Sequence, residues 1–534
     1  MRNLVGRPFI RRALLGAAVA MAGTAGTLRG ATAQTLTMGV GSPISSLDPH
    51  YHQLRSNGEI AQSIFDTLTV TDAHARIHPG MAESWRALGT EGWEFRLREG
   101  IRFHDGTAFT ADDIAFTLER IPTVTGPGAS YSGLIRPVNR VEVVDDRTIR
   151  LYTSGPSPLL PTYLSQVVML SRKIHTGATT ADFNSGRVAI GTGPFRLVSY
   201  TNNDRIVMAR NEQYWGEKPH WAEVSYRIIT NDTARTAALL AGDVDFIDQV
   251  PTSDIGRMRR DSRFRVAETT SLRTMYLTLD GVRAPPVPLL ASSTGAALDR
   301  NPLADVRVRR ALSLAIDRRM IQERVMEDSA LATGQFMPPG SFSYMPDFPV
   351  PAADPEAARR LLAEAGYPQG FTLTLAGSSD RYMNDSRVVQ AIGQMWTRIG
   401  IRTTIEAQPY AAFIGRASRR EAPANLLSWG NSTGEVSVLL NSVLRTVSRE
   451  RGHGSSNRIQ YSNPALDGLI GQAEVELDDA KREALLQQAT RLVLEDYPIV
   501  PLYLQNAIWA MRSNVTYEAR SDERNDPATV RPAR

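Results

Sequence analysis

The 534-residue sequence predicts an α/β protein of two or three domains. Three observations carry this prediction. The length exceeds what one hydrophobic core normally organises. Residues 371–375 read as a strand, 385–399 as an amphipathic helix closed by Gly400, and 401–407 as a second strand. That β-α-β order belongs to a parallel sheet. The third observation is the run WEFRLREGIRFHDGTAFTADDIAFTLERI at 93–121. Trp93, Phe95 and Leu97 alternate with charged residues at the period of a half-buried strand, which Ile101 and Phe103 resume. His104-Asp105-Gly106-Thr107 is a turn, and Thr110 with Asp113 three residues on is a capping-box start for a helix carrying Ile114, Leu118 and Ile121.

The remaining elements follow in chain order. Residues 1–33 read as an export signal: Arg11-Arg12 precede an apolar run, and Ala31-Thr32-Ala33 offers a small-residue cleavage site. The arginine pair favours a twin-arginine route, although Ile10 stands where Ser or Thr is usual, so general secretion stays open. Removing this segment, with five arginines and no acid, takes the formal net charge from +4 to −1. A near-neutral mature chain argues against nucleic-acid binding. No cysteine is present, which excludes disulfides, thiolate metal sites and lipidation at a cysteine. A periplasmic protein that is not a lipoprotein is expected.

Strands are expected at 35–40, 68–70, 275–279, 426–430 and 498–504, with a helix near 57–65 and a hairpin about Asp145-Asp146. Gly242 fits the C′ position of a helix begun near Arg235. Asp354-Pro355 caps another helix that Gly366 ends, and 478–496 is a third. Residues 448–456, polar and glycine-containing, form a surface loop.

The run at 93–121 resembles a signature of the dipeptide, oligopeptide and nickel substrate-binding proteins (solute-binding protein family 5) that serve bacterial ABC importers. Further blocks resemble the same family in the same order. They are Leu47-Asp48-Pro49-His50, the stretch from Pro79 to Trp85, Gly191-Thr192-Gly193-Pro194-Phe195, RNEQYWG at 210–216, RTAALLAGDVD at 235–245, DVRVRRALSLAID at 305–317 and EAARRLLAEAGYPQGF at 356–371. The resemblance implies a two-lobed periplasmic-binding-protein fold of the large type II class. It implies two crossover hinge strands, near 271–277 and 497–503, and an extra subdomain in the first lobe. Lobe I would comprise 34–64, 192–272 and 500–534, the extra subdomain 65–191, and lobe II 273–499. Ligand would be enclosed as the lobes close, and the closed shape read by permease subunits in the inner membrane. A monomer is expected.

The resemblance also implies where ligand binds. Trp429-Gly430-Asn431-Ser432 falls on a W-x-x-D element whose acid, in peptide-binding relatives, pairs with the ligand's α-amino group. Ser432 takes the acid's place. Either the nearby Glu435 substitutes or the ligand lacks a free α-amine, and the second reading is preferred. Arg381 and Asn384 sit at a strand-to-helix junction where α/β sheets present ligands, beside Asp385, which also suits a helix cap. Asp280, Tyr51, Gln53 and Tyr131 complete the candidates, with the Leu47–His50 loop at the mouth of the cleft.

No cofactor is expected. His50-x-His52 and His74-x-x-x-His78 have metal-ligand spacing, but the first is absorbed by the loop motif and no metal site is expected. HExxH and GxSxG are absent, and Asp112-Asp113 and Asp145-Asp146 fit cap and turn roles, so no enzyme is expected. The expected function is capture of a peptide-like or small polar organic ligand for an ABC importer. The rivals are a receptor for a nickel or other metal chelate, a sensor read by another membrane partner and, remotely, an exported enzyme.

Overall fold

The computed structural model describes residues 35–126 and 130–533. The expected export signal lies outside the described residues. Two strands organise everything else. Phe264–Leu279 and Ile499–Arg512 pair antiparallel, from Phe264 opposite Arg512 to Thr278 opposite Ile499. They form the middle of a twelve-stranded sheet. On one side follow Phe246–Ile247, Thr35–Val40, Glu223–Ile228, Arg205–Arg210 and Phe195–Thr201. On the other come Ala424–Gly430, Phe371–Ser378 and Leu290–Ser292, with Arg402–Gln408 also against Phe371–Ser378. One end of the long pair packs beside Phe246, Tyr226 and Leu36, through Trp509 and Met511. The other end packs beside Leu426, Phe371 and Trp396, through Met275, Leu277 and Val500. The pair therefore belongs to two cores at once and joins two lobes.

The β-α-β unit is as its sequence reads. Phe371–Ser378 and Arg402–Gln408 pair in parallel across helix Asp385–Arg398, which buries Val388, Val389, Ile392 and Trp396 at three- and four-residue spacing. Gly400 closes it at φ +94°. Helix Pro355–Glu364 is capped by Asp354, whose carboxylate accepts from the Ala357 amide at 2.8 Å. Helix Ala111–Arg120 opens on the expected box, with the Thr110 amide donating to Asp113 Oδ2 at 2.9 Å.

A third body, with its own core of Phe95, Leu97, Ile114, Ile149 and Leu151, is a four-stranded sheet ordered Ala82–Ala87, Gly92–Leu97, Thr148–Thr153 and Val138–Asp145. Here the sequence reading needs correction. Ile101 and Phe103 do not resume a strand. The turn at 103–107 is so tight, with the Phe103 amide bonded to the Thr107 carbonyl at 2.8 Å, that only one bridge, Arg102 to Ala108, fits beside it. Both side chains are buried as anchors instead. The returning strand, expected to end near 504, runs on to Arg512. The strand expected at 275–279 begins at Phe264.

Candidate functional site

The Leu47–His50 loop was expected at the mouth of the cleft. It is interior. Arg120 donates to both oxygens of Asp48, at 3.1 and 2.7 Å, and to His50 Nδ1 at 3.1 Å. His50 Nε2 donates to the Val168 carbonyl at 3.0 Å, and Thr180 donates to Asp48 at 2.7 Å. Burial and the neighbouring Arg120 charge push His50 down to about 4, so the ring is neutral, with Nδ1 as acceptor. Tyr131 stacks edge-on against His50 at 5.8 Å and is 3% exposed, its hydroxyl pushed up by burial and the Asp48 charge. It is a wall of this cluster, not a surface a ligand reaches. Tyr51 and Gln53 stay half-exposed, and Gln53 donates to Gln166 at 3.3 Å.

Asp280 also needs correction. It is 2% exposed, ion-paired with Arg420 and bonded by the Arg283 amide at 3.2 Å, at the end of Phe264–Leu279 remote from lobe I. Its carboxylate is satisfied by its own lobe. Asp385 is a turn-and-cap residue: its carboxylate accepts from Ser378 Oγ and from the amides of Arg381, Tyr382 and Ser386. Asn384, at φ +55°, donates to the Val325 carbonyl at 2.9 Å and to Thr252 Oγ1 at 3.1 Å. It joins the two lobes rather than facing a ligand.

Arg381 is exposed, its guanidinium 5.2 Å over the ring of Tyr410. Tyr382 meets Tyr410 edge-on at 6.3 Å. Trp429, opposite Thr274 in the ladder, is half-buried, and its indole Nε1 has no partner among the described residues. Gly430 and Ser432 are exposed. Asn431 is buried, its Nδ2 donating to the Phe336 carbonyl at 3.2 Å while its Oδ1 is unpartnered.

Arg273 was missed by sequence reading. Between Thr270 and Thr274 the long pair slips register, so three residues face the single Gln505. The bulge turns Arg273 toward Ser428 Oγ, 3.3 Å away, and into a bidentate pair with Glu523, at 2.9 and 2.8 Å. Burial alone would raise the Glu523 carboxyl, but Arg273 and Arg55 bring it down to about 2. Residues 250 apart leave no local signal for such a pair.

Past Ser432 the chain borders a cleft of about 630 Å³ between the four-stranded subdomain and lobe II. Trp85, Trp93 and His74 line one side, and Phe342, Glu435 and Arg482 the other. The volume falls in the ordinary range for small-molecule sites. Glu435 does not reach back to the position of the missing acid as a free group, since Arg482 engages its Oε2. At the rim Gly434 takes φ +76°, and a Cβ there would stand 2.9 Å from the Ala75 carbonyl. Ala75 itself sits at φ +60° and packs into the lobe II core, so the 72–76 turn and the 433–435 turn interlock. Among the described residues no group of three His, Cys, Asp or Glu side chains gathers as metal ligands, and no helix is long and apolar enough to cross a membrane.

Comparison with known proteins adds three findings. Heme-binding protein A of Haemophilus influenzae is 28% identical over 458 residues, covering 80% of this chain and 78% of that one. The periplasmic oligopeptide-binding protein OppA of Salmonella typhimurium is 26% identical over 540 residues, covering 94% of each. The periplasmic binding protein DppA of Helicobacter pylori, solved with the peptide STSA, superposes with a TM-score of 0.76 at 23% identity, over 93% of this chain and 98% of that one. The family model for bacterial extracellular solute-binding proteins, family 5 (middle), matches residues 76–449, and the chain belongs to that family.

Proposed function

We propose that this solute-binding protein captures a small organic or peptide-like ligand that carries an anionic group and lacks a free α-amine, and delivers it to an ABC permease without chemical change. One observation carries the reading. Where a peptide's ammonium would need a carboxylate partner, Ser432 is exposed and uncharged, and the nearest acid, Glu435, is engaged by Arg482. An ammonium closed into that place would lose its hydration with nothing in return. Arginine dominates the surroundings instead. Arg381 lies over Tyr410, Arg273 emerges from the bulge, and the charge of Arg458 acts on both Tyr410 and Tyr276. A planar guanidinium backed by an aromatic ring suits a carboxylate or similar oxyanion.

In this proposal the mature chain is a periplasmic monomer exported by the 1–33 signal. Its lobes divide as 34–64, 192–272 and 500–534 against 273–499, with 65–191 appended to the first. Mass spectrometry of compounds released from the purified mature protein, followed by calorimetry, tests the reading. An acid without a primary amine, binding with 1:1 stoichiometry, supports it. A free-amine dipeptide bound tightly, a metal chelate, or turnover of the bound compound would each reject it.

A further inference from the structure

The cleft between the four-stranded subdomain and lobe II is lined by none of Arg273, Arg381, Tyr382, Tyr410 or Trp429. Its polar wall has its own pattern. Glu435 is 3% exposed, and while Arg482 holds Oε2, Oε1 has no partner among the described residues. Arg482, 8% exposed, is held from three sides: by Glu435, by Asp479 Oδ1 at 2.9 Å and by the ring of Phe342, 4.4 Å from its guanidinium carbon. Its Nε–H nevertheless has no acceptor. Thr433 Oγ1, also at the cleft wall, is unpartnered too. Buried polar atoms are almost always paired, and a cluster of exceptions on one wall calls for a ligand.

The chemistry of the three atoms is specific. A carboxylate oxygen accepts, a guanidinium Nε–H donates, and a hydroxyl does both. Glu435 and Arg482 already neutralise one another, so the wall offers no net charge for a cation or an anion to cancel. It asks for a neutral group that donates and accepts at adjacent positions, as vicinal hydroxyls do. Across the cleft Trp85 and Trp93 rest on the subdomain core, and the Trp93 indole N–H is occupied by the Ser157 carbonyl at 2.9 Å. These tryptophans are left with apolar surface to offer, against which the C–H face of a sugar ring packs.

We propose that this cleft is a second ligand site, for a neutral saccharide, in which Glu435, Arg482 and Thr433 bind ring hydroxyls and Trp85 and Trp93 hold the ring face. Because the subdomain supplies one wall and lobe II the other, sugar bound here bridges them.

The test is calorimetry and tryptophan fluorescence of the mature protein with maltose and methyl α-glucoside, beside tetramethylammonium and acetamide. Saturable binding of at least one sugar is expected. Thr433→Val should weaken it about fivefold, the loss of one hydrogen bond, without touching the ion pair. Trp85→Leu should weaken it about tenfold, and if that variant fails to fold, Thr433→Val still decides. Arg381→Ala should leave the sugar titration unmoved while weakening the anionic ligand, so that this site and the first are separable. The proposal is overturned if neither sugar saturates at tens of millimolar, or if tetramethylammonium or acetamide binds in their place. It is equally overturned if sugar binding ignores Thr433→Val and Trp85→Leu but follows Arg381→Ala.

Discussion

The Asp48–His50–Arg120 cluster and the 429–435 segment are both polar, and the family resemblance marks a loop in each as a ligand contact. They are built oppositely. In the first, the Asp48 carboxylate is paired and bonded through both oxygens, and both His50 nitrogens are bonded. In the second, polar atoms at alternate residues, Trp429 Nε1, Asn431 Oδ1, Thr433 Oγ1 and Glu435 Oε1, lack partners. A satisfied buried network is a scaffold; an unsatisfied one is waiting for something outside the chain. Burial alone would not have separated them.

Acid should expose this contrast most strongly. His50, His104 and His175 are each pushed down to about 4, by burial first, and all three lie in the first half of the chain. The unfolded chain takes up those protons near 6.5 while the folded protein refuses them until about 4. Their stabilisation is therefore complete above 6.5 and is lost as pH falls toward 4. Urea unfolding at pH 7.5, 5.5 and 4.5 should show a steep loss in this window, larger than any single substitution outside the cluster produces. His50→Asn would flatten part of it. The next effect is Arg120→Met, which strands the buried Asp48 carboxylate and should cost about 3–5 kcal/mol. Denaturant midpoints would read the loss, and ligand affinity of the folded fraction should hold.

Arg381→Ala should do the reverse. Its side chain supports no fold contact beyond Tyr410, so the melting temperature should stay within a few degrees while affinity for the anionic ligand falls about 10- to 100-fold. Titration calorimetry on a thermally intact variant separates the two outcomes. Gly434→Ala should act on closure: at φ +76° and 2.9 Å from the Ala75 carbonyl, a methyl group pushes the interlocked turns apart, at a cost of about 1 kcal/mol or more. Small-angle scattering should then show a more open apo protein. The smallest effect belongs to Glu59, raised to about 7 by burial. It is protonated in the fold between 4.5 and 7 but ionised when unfolded, so its contribution is present below 4.5 and lost as pH rises through 7. Glu59→Gln should remove that shallow slope at neutral pH.

The elements themselves were legible because their causes are local. Strand alternation at 93–97, the box at Thr110 and Asp113, the Asp354 cap, and Gly242 and Gly400 at φ +86° and +94° each need only a few neighbouring residues. Site residues were legible only as segments. Trp429–Ser432 was placed at the right strand end, yet Asp280 looked equally available, because nothing near it in sequence announces Arg420. Asn384 looked like a ligand contact because its strand-to-helix position is real, while its partner Thr252 lies 132 residues away.

By itself, then, the sequence determined the family, the α/β class and the order of elements, since periodicity, capping and motif wording act over short stretches of chain. Tertiary structure decided which polar residues are free. Asp48 finds Arg120 at a separation of 72 residues, Glu435 finds Arg482 at 47, and Glu523 finds Arg273 at 250. Whether a buried charge is scaffold or site depends on whether its partner arrives from elsewhere in the chain, and only the folded arrangement brings that partner within hydrogen-bonding reach.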